Sequence, residues 1–499
     1  MVGGDDEVLL RNLRMVDSPG TLKKKLEAHF EWLAVYAEGR TFPLLFDEIE
    51  LEESGEKTLI GLQGDKGFRT WRVGSHSCKD GEIVLELSGG FGAERQSLRL
   101  IPRTSAADLA RDVELARLVR ANEIDKEIEQ NFAAMKTVRV SLNEHNGRMA
   151  QILIEAPNKK QTAVMADVTD TLTAENLLAS AFLWIERLNA RRKKPIDGVW
   201  IVAGRKQARA LRRLHTLLNR NAKAVVTIIE NIDGALRPLD EWTLSALWRE
   251  KPKKLSIPSE VRASRSIGAI VEISAEKIDT IRSKQGEAAR FHGLPFARVR
   301  TMMGRERAWF GVGRGRKPLV PDNLDDLNSL VDELSNFRRS DPPNPRHEYY
   351  RASPELWLES ILKRDIGKLD GNLILSPIYN QFRSSTDKID LLAMRKDGRL
   401  VVVELKTSPD REMVFQAADY WRKIELQRRR GVLAKARLFG DLEIKDEPTL
   451  VYAVAPALSF HRDFEYFARK LSLEIELWRF ELHEDWRREI KVIARHEYR

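Results

Sequence analysis

Residues 388–407 constrain this chain most, because they describe a β-hairpin that carries charged side chains into a buried setting. Val401–Leu405 is an apolar run rich in valine, which is typical of a strand buried on both faces. The pair Asp397–Gly398 is a turn signal between this run and the apolar residues before it. Glu404 and Lys406 are two residues apart, so they leave the strand on the same face.

The length of the loop decides which side chains of the hairpin meet. A two-residue loop would pair Lys396 with Arg399 and turn Asp390 away from Glu404. A three-residue loop that ends at Gly398 would set Asp390 opposite Glu404, and glycine suits the left-handed backbone that this loop needs. We predict the three-residue loop, or a bulge with the same effect. Two carboxylates and a lysine would then converge, and such a group can hold a divalent metal ion and a water beside a phosphodiester.

Two flanking segments with helical spacing carry further candidates. In the helix predicted to follow Ser353, Glu355 and Glu359 are four residues apart and share one face. Glu355 is our first choice for a helical glutamate at the site, with Glu359 as the alternative. Downstream, Gln416 and Tyr420 are also four apart, so one helix face carries both.

Taken together, these residues resemble the pattern of the PD-(D/E)XK nuclease superfamily and, within it, the RecB-like branch with its Gln-x-x-x-Tyr signature. The resemblance covers about residues 350–480 and lacks the proline that gives the family its name, since Ile389 precedes the aspartate. It implies a restriction-endonuclease-like mixed sheet flanked by helices. It also implies Mg²⁺ or Mn²⁺ bound by Asp390, Glu404 and the Leu405 carbonyl, and Lys406 orienting or activating the attacking water. The catalytic set that it implies is Glu355, Asp390, Glu404, Lys406, Gln416 and Tyr420.

Composition limits the class of protein and its compartment. The 499 residues are 42% hydrophobic and 32% charged, which is typical of a soluble protein of several domains. The net charge of +9 favours a polyanionic partner. The single cysteine, Cys78, excludes an intrachain disulfide framework and a self-contained four-cysteine cluster. Residues 1–17 are charged and lack an apolar signal core, and no apolar run is long enough to span a membrane, so we expect a cytoplasmic protein.

We predict four regions along the chain. Residues 1–105 form a small β-rich accessory domain that opens with a helix at about residues 22–36. Residues 106–235 repeat the strand and helix order of the C-terminal nuclease domain, residues 346–499, and are interpreted as a degenerate second copy. A gapless alignment sets Asp167 on Glu404, so the metal-binding groups are largely missing from that copy. Because strand–helix–strand order is common, chance similarity remains the alternative.

The basic connecting region, residues 236–345, contains arginines interleaved with aromatic residues. Basic groups neutralise phosphates and aromatic rings stack on unpaired bases, which favours nucleic-acid binding. A β-hairpin with arginines on its solvent face is the second interpretation, and both stay open. Arg428 is a further candidate, although a basic residue there also suits a helix C-terminus. The predicted nucleic-acid contacts are Arg298, Arg300, Arg305, Arg307, Trp309, Arg314, Arg316, Lys317 and Arg428.

The function favoured by the sequence is a metal-dependent deoxyribonuclease that acts in DNA repair, recombination or defence. Its partner would be single- or double-stranded DNA, with no membrane, and a homo-oligomer is left open. Two alternatives are a nucleic-acid-binding protein that keeps the nuclease fold without cutting, and a ribonuclease. An intact Asp390, Glu404 and Lys406 set favours the enzyme.

Overall fold

The structure is a computed structural model that describes most of the chain. The described residues are 19–29, 31–36, 41–46, 49–54, 57–64, 67–79, 81–89, 94–102, 106–141, 148–168, 172–190, 195–252, 263–283, 286–302, 305–312, 316–376 and 389–498. The chain divides into two compact units. The first comprises Met1–Val119, Leu142–Arg148 and Val168–Thr171, and the second comprises Arg120–Ser141, Met149–Asp167 and Leu172–Arg499. The architecture is mixed α/β, with several sheets flanked by helices and a β-rich N-terminal region.

The first sheet is antiparallel and has seven strands in the order β2-β1-β7-β6-β5-β4-β3. The helix predicted to reach Tyr36 ends at Glu27, so that prediction was wrong in its second half. Trp32 and Ala34 alternate with more exposed neighbours, which is the period of a strand. The elements are α1 (Pro19–Glu27), β1 (Glu31–Tyr36), β2 (Thr41–Leu45), β3 (Ile49–Ser54), β4 (Lys57–Gly64), β5 (Gly67–Lys79), β6 (Glu82–Gly89) and β7 (Glu94–Pro102).

The second sheet has six strands in the order β13-β12-β11-β10-β9-β8. Its three central strands, β10 to β12, are parallel, and the outer pairings are antiparallel. Its elements are α2 (Ala106–Asn131), β8 (Lys136–Ser141), β9 (Met149–Glu155), β10 (Gln161–Asp167), α3 (Ala174–Ala190), β11 (Gly198–Gly204), α4 (Arg205–Thr216), α5 (Arg220–Val225), β12 (Val226–Ile232), β13 (Ala235–Pro238) and α6 (Leu244–Leu247).

The third sheet is an antiparallel meander of five strands, within the region interpreted from sequence as a basic connection. Helices on one face bury apolar side chains of the strands, such as Val299 and Phe310. Strands β16 and β17 form the hairpin that the second interpretation of this region predicts. The elements are α7 (Arg265–Glu272), β14 (Ile278–Ser283), β15 (Gly286–Phe291), β16 (Leu294–Met302), β17 (Arg305–Phe310), β18 (Lys317–Pro318) and α8 (Leu324–Phe337).

The fourth sheet, in sequence order β19 to β24, repeats the second sheet in strand order and in every strand direction. Each has two antiparallel pairings, then two parallel pairings, then one antiparallel pairing. Its elements are α9 (Glu348–Arg351), α10 (Pro354–Arg364), β19 (Leu373–Leu375), β20 (Leu391–Arg395), β21 (Leu400–Leu405), α11 (Met413–Arg429), α12 (Val432–Lys435), β22 (Leu450–Pro456), α13 (Phe464–Ala468), β23 (Leu477–Leu482) and β24 (Val492–Tyr498).

The second and fourth sheets share one hydrophobic core. Helices α3 and α4 from the second sheet and α11 and α13 from the fourth contribute buried side chains to the same cluster. Phe182 of α3 stacks on Phe415 of α11, with 6.2 Å between the ring centroids. Trp421 of α11 is fully buried and meets Trp248 at 5.8 Å. The two sheets therefore enclose a common helical layer, in which each supplies apolar surface that the other needs.

The third sheet is fastened to helix α10. A Cβ at Gly293, in the turn between β15 and β16, would lie 1.9 Å from the Leu356 carbonyl oxygen, so only glycine allows this approach. The buried Arg338 guanidinium donates hydrogen bonds to the carbonyls of His292, at 3.0 Å, and of Ala352, at 2.7 Å. Within the described residues, no helix has the length and apolar character to cross a membrane.

Candidate active site

The hairpin formed by β20 and β21 has the predicted three-residue loop. Leu391 pairs with Val403, and the Arg395 N–H donates to the Arg399 carbonyl at 2.8 Å. Residues 396–398 make the turn, with Gly398 at a φ of 90°. This prediction, which rested on turn chemistry, is confirmed.

This register brings the two carboxylates together. Continued by one pair, it sets Asp390 opposite Glu404, and Asp390 Oδ2 accepts a hydrogen bond from the Leu405 N–H at 2.8 Å. Glu404 is only 2% exposed. Burial raises the Glu404 pKa well above its usual value, and the charges of Asp390 and Glu355 raise it further against the opposing effect of Lys406. Glu404 Oε2 is buried and has no hydrogen-bond partner among the described residues.

Lys406 lies between two carboxylates. Its Nζ is 3.2 Å from Glu404 Oε1 and 3.1 Å from Asp410 Oδ2. Burial lowers the Lys406 pKa, but Glu404, Asp410 and Glu355 outweigh burial and raise it well above the usual value. Lys406 is therefore a fixed cation at neutral pH and can stabilise negative charge, whereas it holds its proton too tightly to act as a base.

Of the two helical glutamates, Glu355 is the one near the site. Glu359 is 1% exposed and is paired with Lys363 at 2.7 Å and Arg290 at 3.5 Å. Glu355 is half-buried in the first turn of α10, and its charge acts on both Glu404 and Lys406. The tertiary partners of Glu359 decide a choice that helical spacing left open.

Gln416 and Tyr420 both lie on α11, as their spacing predicts. Burial raises the Tyr420 pKa above its usual range, and the charges of Glu404 and Asp390 add to this. Tyr420 is thus a neutral phenol that can donate a hydrogen bond. The Gln416 Oε1 atom is buried without a partner among the described residues. Tyr420, which feels the charges of both carboxylates, can therefore orient a ligand beside them.

A network of polar contacts that sequence reasoning missed holds Asp410 in place. The Glu412 N–H donates to Asp410 Oδ1 at 2.7 Å, and Thr173 Oγ1, just before α3, donates to Glu412 Oε2 at 2.7 Å. Asn176 Nδ2 also donates to Glu412, and its Oδ1 accepts from Arg411. The position of Asp410, four residues after Lys406, was a usable signal. Thr173 and Asn176 gave none, because they are more than 230 residues away along the chain.

The aspartate of the second sheet that aligns with Glu404 has a different environment. Asp167 is 5% exposed, and its Oδ2 accepts hydrogen bonds from the Leu172 N–H at 2.7 Å and from Gln207 Nε2 at 3.4 Å. These contacts fix the chain where it leaves β10 for α3, which is a structural role. Asp170, a second acid three residues after Asp167, lies outside the described residues.

Most of the predicted nucleic-acid contacts lie on the third sheet. Arg298, Arg300, Arg307 and Trp309 are on β16 and β17, and Arg316 directly precedes β18. Lys317, on β18, is paired with Asp326. The Arg305 side chain and Arg314 lie outside the description.

Arg428 does not belong with this group, which corrects the prediction for it. Its guanidinium is 6% exposed and binds Glu425 at 2.6 Å, and it also pairs with Asp446. Glu425 is itself fully buried and Asp446 lies on the surface, so the Arg428 guanidinium is occupied by two carboxylates instead of being presented to DNA.

The donor atoms at this site fit a hard divalent cation. Asp390, Glu404 and the Leu405 carbonyl offer oxygen ligands, and Mg²⁺ typically takes one or two carboxylates and keeps several waters. The buried Glu404 Oε2 without a partner is the atom that such an ion would satisfy. Among the described residues, no group of three or more His, Cys, Asp or Glu side chains is arranged to hold a metal ion. The set therefore offers two carboxylates and a carbonyl.

Replacing Glu404 by glutamine is expected to stabilise the protein in EDTA at pH 7.5, with a rise in Tm of about 2–4 °C. The Glu404 pKa is higher in the folded than in the unfolded chain, where it is about 4.3. Its contribution to stability is therefore complete below the unfolded pKa and is lost as pH rises through the folded pKa. The gain from glutamine should shrink as the pH is lowered towards 5, as followed by thermal melts.

The matched control is Glu425→Gln, because Glu425 is also a buried glutamate. Burial raises the Glu425 pKa, but hydrogen bonds and charge from Arg428, with Thr449 and Arg429, outweigh burial and lower it. Glu425→Gln should therefore lower the Tm at pH 7.5. If Glu404→Gln also lowered it, Glu404 would be a satisfied structural acid.

No model of a protein family matches the chain, and no curated protein matches it. The solved structure of EndoMS in apo form is similar over 37% of this chain and 82% of that chain, with 12% sequence identity and a TM-score of 0.15.

Proposed function

We propose that this protein is a divalent-metal-dependent nuclease that hydrolyses DNA phosphodiester bonds. The fourth sheet would be a catalytic domain with a restriction-endonuclease-like fold of the PD-(D/E)XK type. The observation that carries the proposal is that Asp390 and Lys406, both half-buried, lie beside the buried Glu404. One Glu404 oxygen has no hydrogen-bond partner among the described residues. Perturbed, buried ionisable groups of this kind concentrate at functional sites.

Each residue has a role that follows from its environment. Asp390, Glu404 and the Leu405 carbonyl would hold Mg²⁺ or Mn²⁺, which when bound lowers the pKa of a water and screens charge at phosphorus. Lys406, held as a cation, stabilises the negative charge that grows on the phosphate. Tyr420, kept neutral, and Gln416 orient the phosphodiester or the attacking water. Glu355 adds negative charge that favours cation binding.

The remaining chain suits a DNA substrate. The net charge of +9 and the arginines of the third sheet supply phosphate contacts. The second sheet, which has the strand order of the fourth but a satisfied Asp167, acts as a packing partner that holds Glu412 and Asp410. We propose it as a second, inactive copy of the nuclease fold.

The test uses covalently closed plasmid DNA, which offers no ends. Purified full-length protein with Mg²⁺ or Mn²⁺ is expected to convert closed circles to nicked or linear DNA, and EDTA should abolish this. Asp390→Asn is the control, because it keeps the size of the side chain and removes the charge that would bind the metal. This variant should not cleave the plasmid. Cleavage of linear DNA alone would identify an exonuclease and would also support the proposal.

Two results would contradict the proposed function. Cleavage of RNA but not of DNA would make the protein a ribonuclease. Binding of DNA without cleavage under any divalent metal would make it a binding protein that keeps a nuclease-like fold. The same reactions should be followed by thermal melts, because metal binding to the native state raises Tm in the wild type and not in Asp390→Asn.

A further inference from the structure

The face of the third sheet opposite its helices carries a row of side chains that spans all five strands. The pairing registers join Ile281 of β14 to Ala288 of β15, Ala288 to Arg298 of β16, Arg298 to Trp309 of β17, and Trp309 to Pro318 of β18. Directly paired residues of neighbouring strands point to the same face. The Trp309 indole therefore has the Arg298 side chain on one side and Pro318 on the other.

The other face of this sheet is the covered one. Val299 and Phe310, each adjacent in sequence to a member of the row, are buried against α7 and α8. Glu306, the acid between the arginines of β17, also turns to that side, because it accepts hydrogen bonds from the Ser266 N–H at 2.8 Å and from Ser266 Oγ at 2.6 Å at the start of α7. The alternation of the strand thus separates this carboxylate from Trp309.

A cavity of about 170 Å³ opens on the row, bordered by Ile281, Ala288, Pro295, Arg298, Trp309 and Arg316. Pockets that enclose drug-sized ligands measure about 300–1,000 Å³, so this cavity suits one flat ring instead of a whole metabolite. Trp309 is half-buried and Arg316 is exposed. One wall is therefore an aromatic side chain, and Arg298 and Arg316 supply cations. Glu287, which also lines the cavity, is paired with Arg282 at 2.8 Å.

Two further arginines extend the positive charge along the same face. Arg300 and Arg307 are paired with each other and lie two residues from Arg298 and Trp309, which is one step along the pleat on the same side. A basic groove with an aromatic side chain is how proteins bind single-stranded nucleic acid, because every base offers a face for stacking while the phosphates follow the cations.

We propose that this cavity, the base pocket, receives one unpaired base of a single-stranded DNA or RNA segment. The base stacks on Trp309, and the flanking phosphates lie against Arg298 and Arg316. This proposal names the substrate class and so rests on the proposed function: the nuclease would act on DNA that has an unpaired stretch. Binding of the base requires no cleavage, so base binding and nuclease activity can fail separately.

The test measures equilibrium binding of the full-length protein in EDTA, where metal-dependent cutting is blocked. The probes are a labelled single-stranded DNA of 20 nucleotides, the same sequence as RNA, and the same sequence as a DNA duplex, at fixed salt. Trp309→Ala should weaken binding of a single strand by about 10-fold, because the variant loses the stacking of one base on the indole. Duplex binding should change by less than about 2-fold.

Two variants separate stacking from loss of structure. Trp309→Phe keeps an aromatic ring and should restore most of the single-strand affinity. Trp242→Ala is the matched control, because Trp242 is a half-buried tryptophan with the Arg212 guanidinium 4.3 Å from its ring on the second sheet. It should leave both affinities unchanged. Melting temperatures of all three variants identify any that fail to fold.

The outcomes are distinct. Wild-type affinity of Trp309→Ala for single strands, or an equal loss for single strand and duplex, would overturn the base pocket. A loss of affinity in Trp309→Ala that is confined to single strands supports the base pocket. Whether the loss is seen with DNA, with RNA or with both identifies the source of the unpaired base. Selective loss in a protein that cuts no nucleic acid would keep the base pocket and reject the nuclease.

Discussion

Replacing Lys406 by methionine is expected to slow DNA cleavage by about 100–1,000-fold, the usual effect of removing one group that stabilises transition-state charge. Methionine keeps the unbranched side chain and removes only the cation. Asp390 and Glu404, the proposed metal ligands, remain, so DNA affinity should change by less than about 3-fold. Plasmid nicking under single-turnover conditions and binding in EDTA measure the two quantities.

The dependence on pH adds a second check on Lys406. Because Glu404 and Asp410 hold its pKa well above the usual value, its charge persists across the alkaline range in which an ordinary lysine begins to titrate. Wild-type cleavage should therefore not fall between pH 8 and pH 10 through loss of this proton. Lys445→Met is the matched control, because Lys445 is also paired with a carboxylate, Glu447, but on the surface. This variant should keep full activity. Full activity in Lys406→Met would remove the lysine from the mechanism.

Replacing Gly293 by alanine is expected to lower the free energy of unfolding by about 2–4 kcal/mol. The left-handed backbone, with φ at 81°, costs about 1 kcal/mol with a side chain. The overlap with the Leu356 carbonyl, at 1.9 Å, adds the cost of moving backbone, which is typically about 1–3 kcal/mol. Urea unfolding followed by tryptophan fluorescence measures the change.

Gly234 is a control for the cost of the left-handed backbone alone, without steric overlap. Gly234 has φ at 85°, and a Cβ built on it meets no described atom within 4 Å. Gly234→Ala should therefore cost only about 1 kcal/mol. Equal losses in the two variants would mean that α10 moves away freely. Because Leu356 follows Glu355 on α10, Gly293→Ala should also reduce cleavage, and Gly234→Ala should not.

Local chemistry made parts of this structure predictable. The hairpin loop followed from Gly398 and from the alternation of β21, because both act between near neighbours. The Arg428 ion pair also had a local signal, since Glu425 precedes it by three residues on one helix, yet Arg428 was included among the predicted nucleic-acid contacts. The position of each arginine side chain depends on its own carboxylate partner, which for Arg428 is Glu425.

Other features depended on contacts that no local pattern contains. The choice between Glu355 and Glu359 depended in part on Arg290, from a different sheet, which pairs with Glu359 beside the local partner Lys363. The gapless alignment of residues 106–235 with the C-terminal region used an offset of 237 (404 − 167), but α3 and α11 begin 239 residues apart (413 − 174). The gapless alignment sets Trp421 on Trp184, whereas counting from the helix starts sets it on Phe182.

The helical layer between the second and fourth sheets has a consequence for any shortened version of this chain. Phe182 and Phe415 pack against each other across that layer, so neither sheet closes its own interior. Removing the second sheet with its helices would therefore expose apolar side chains of α11 and α13 to water and destabilise the half that carries Asp390 and Glu404.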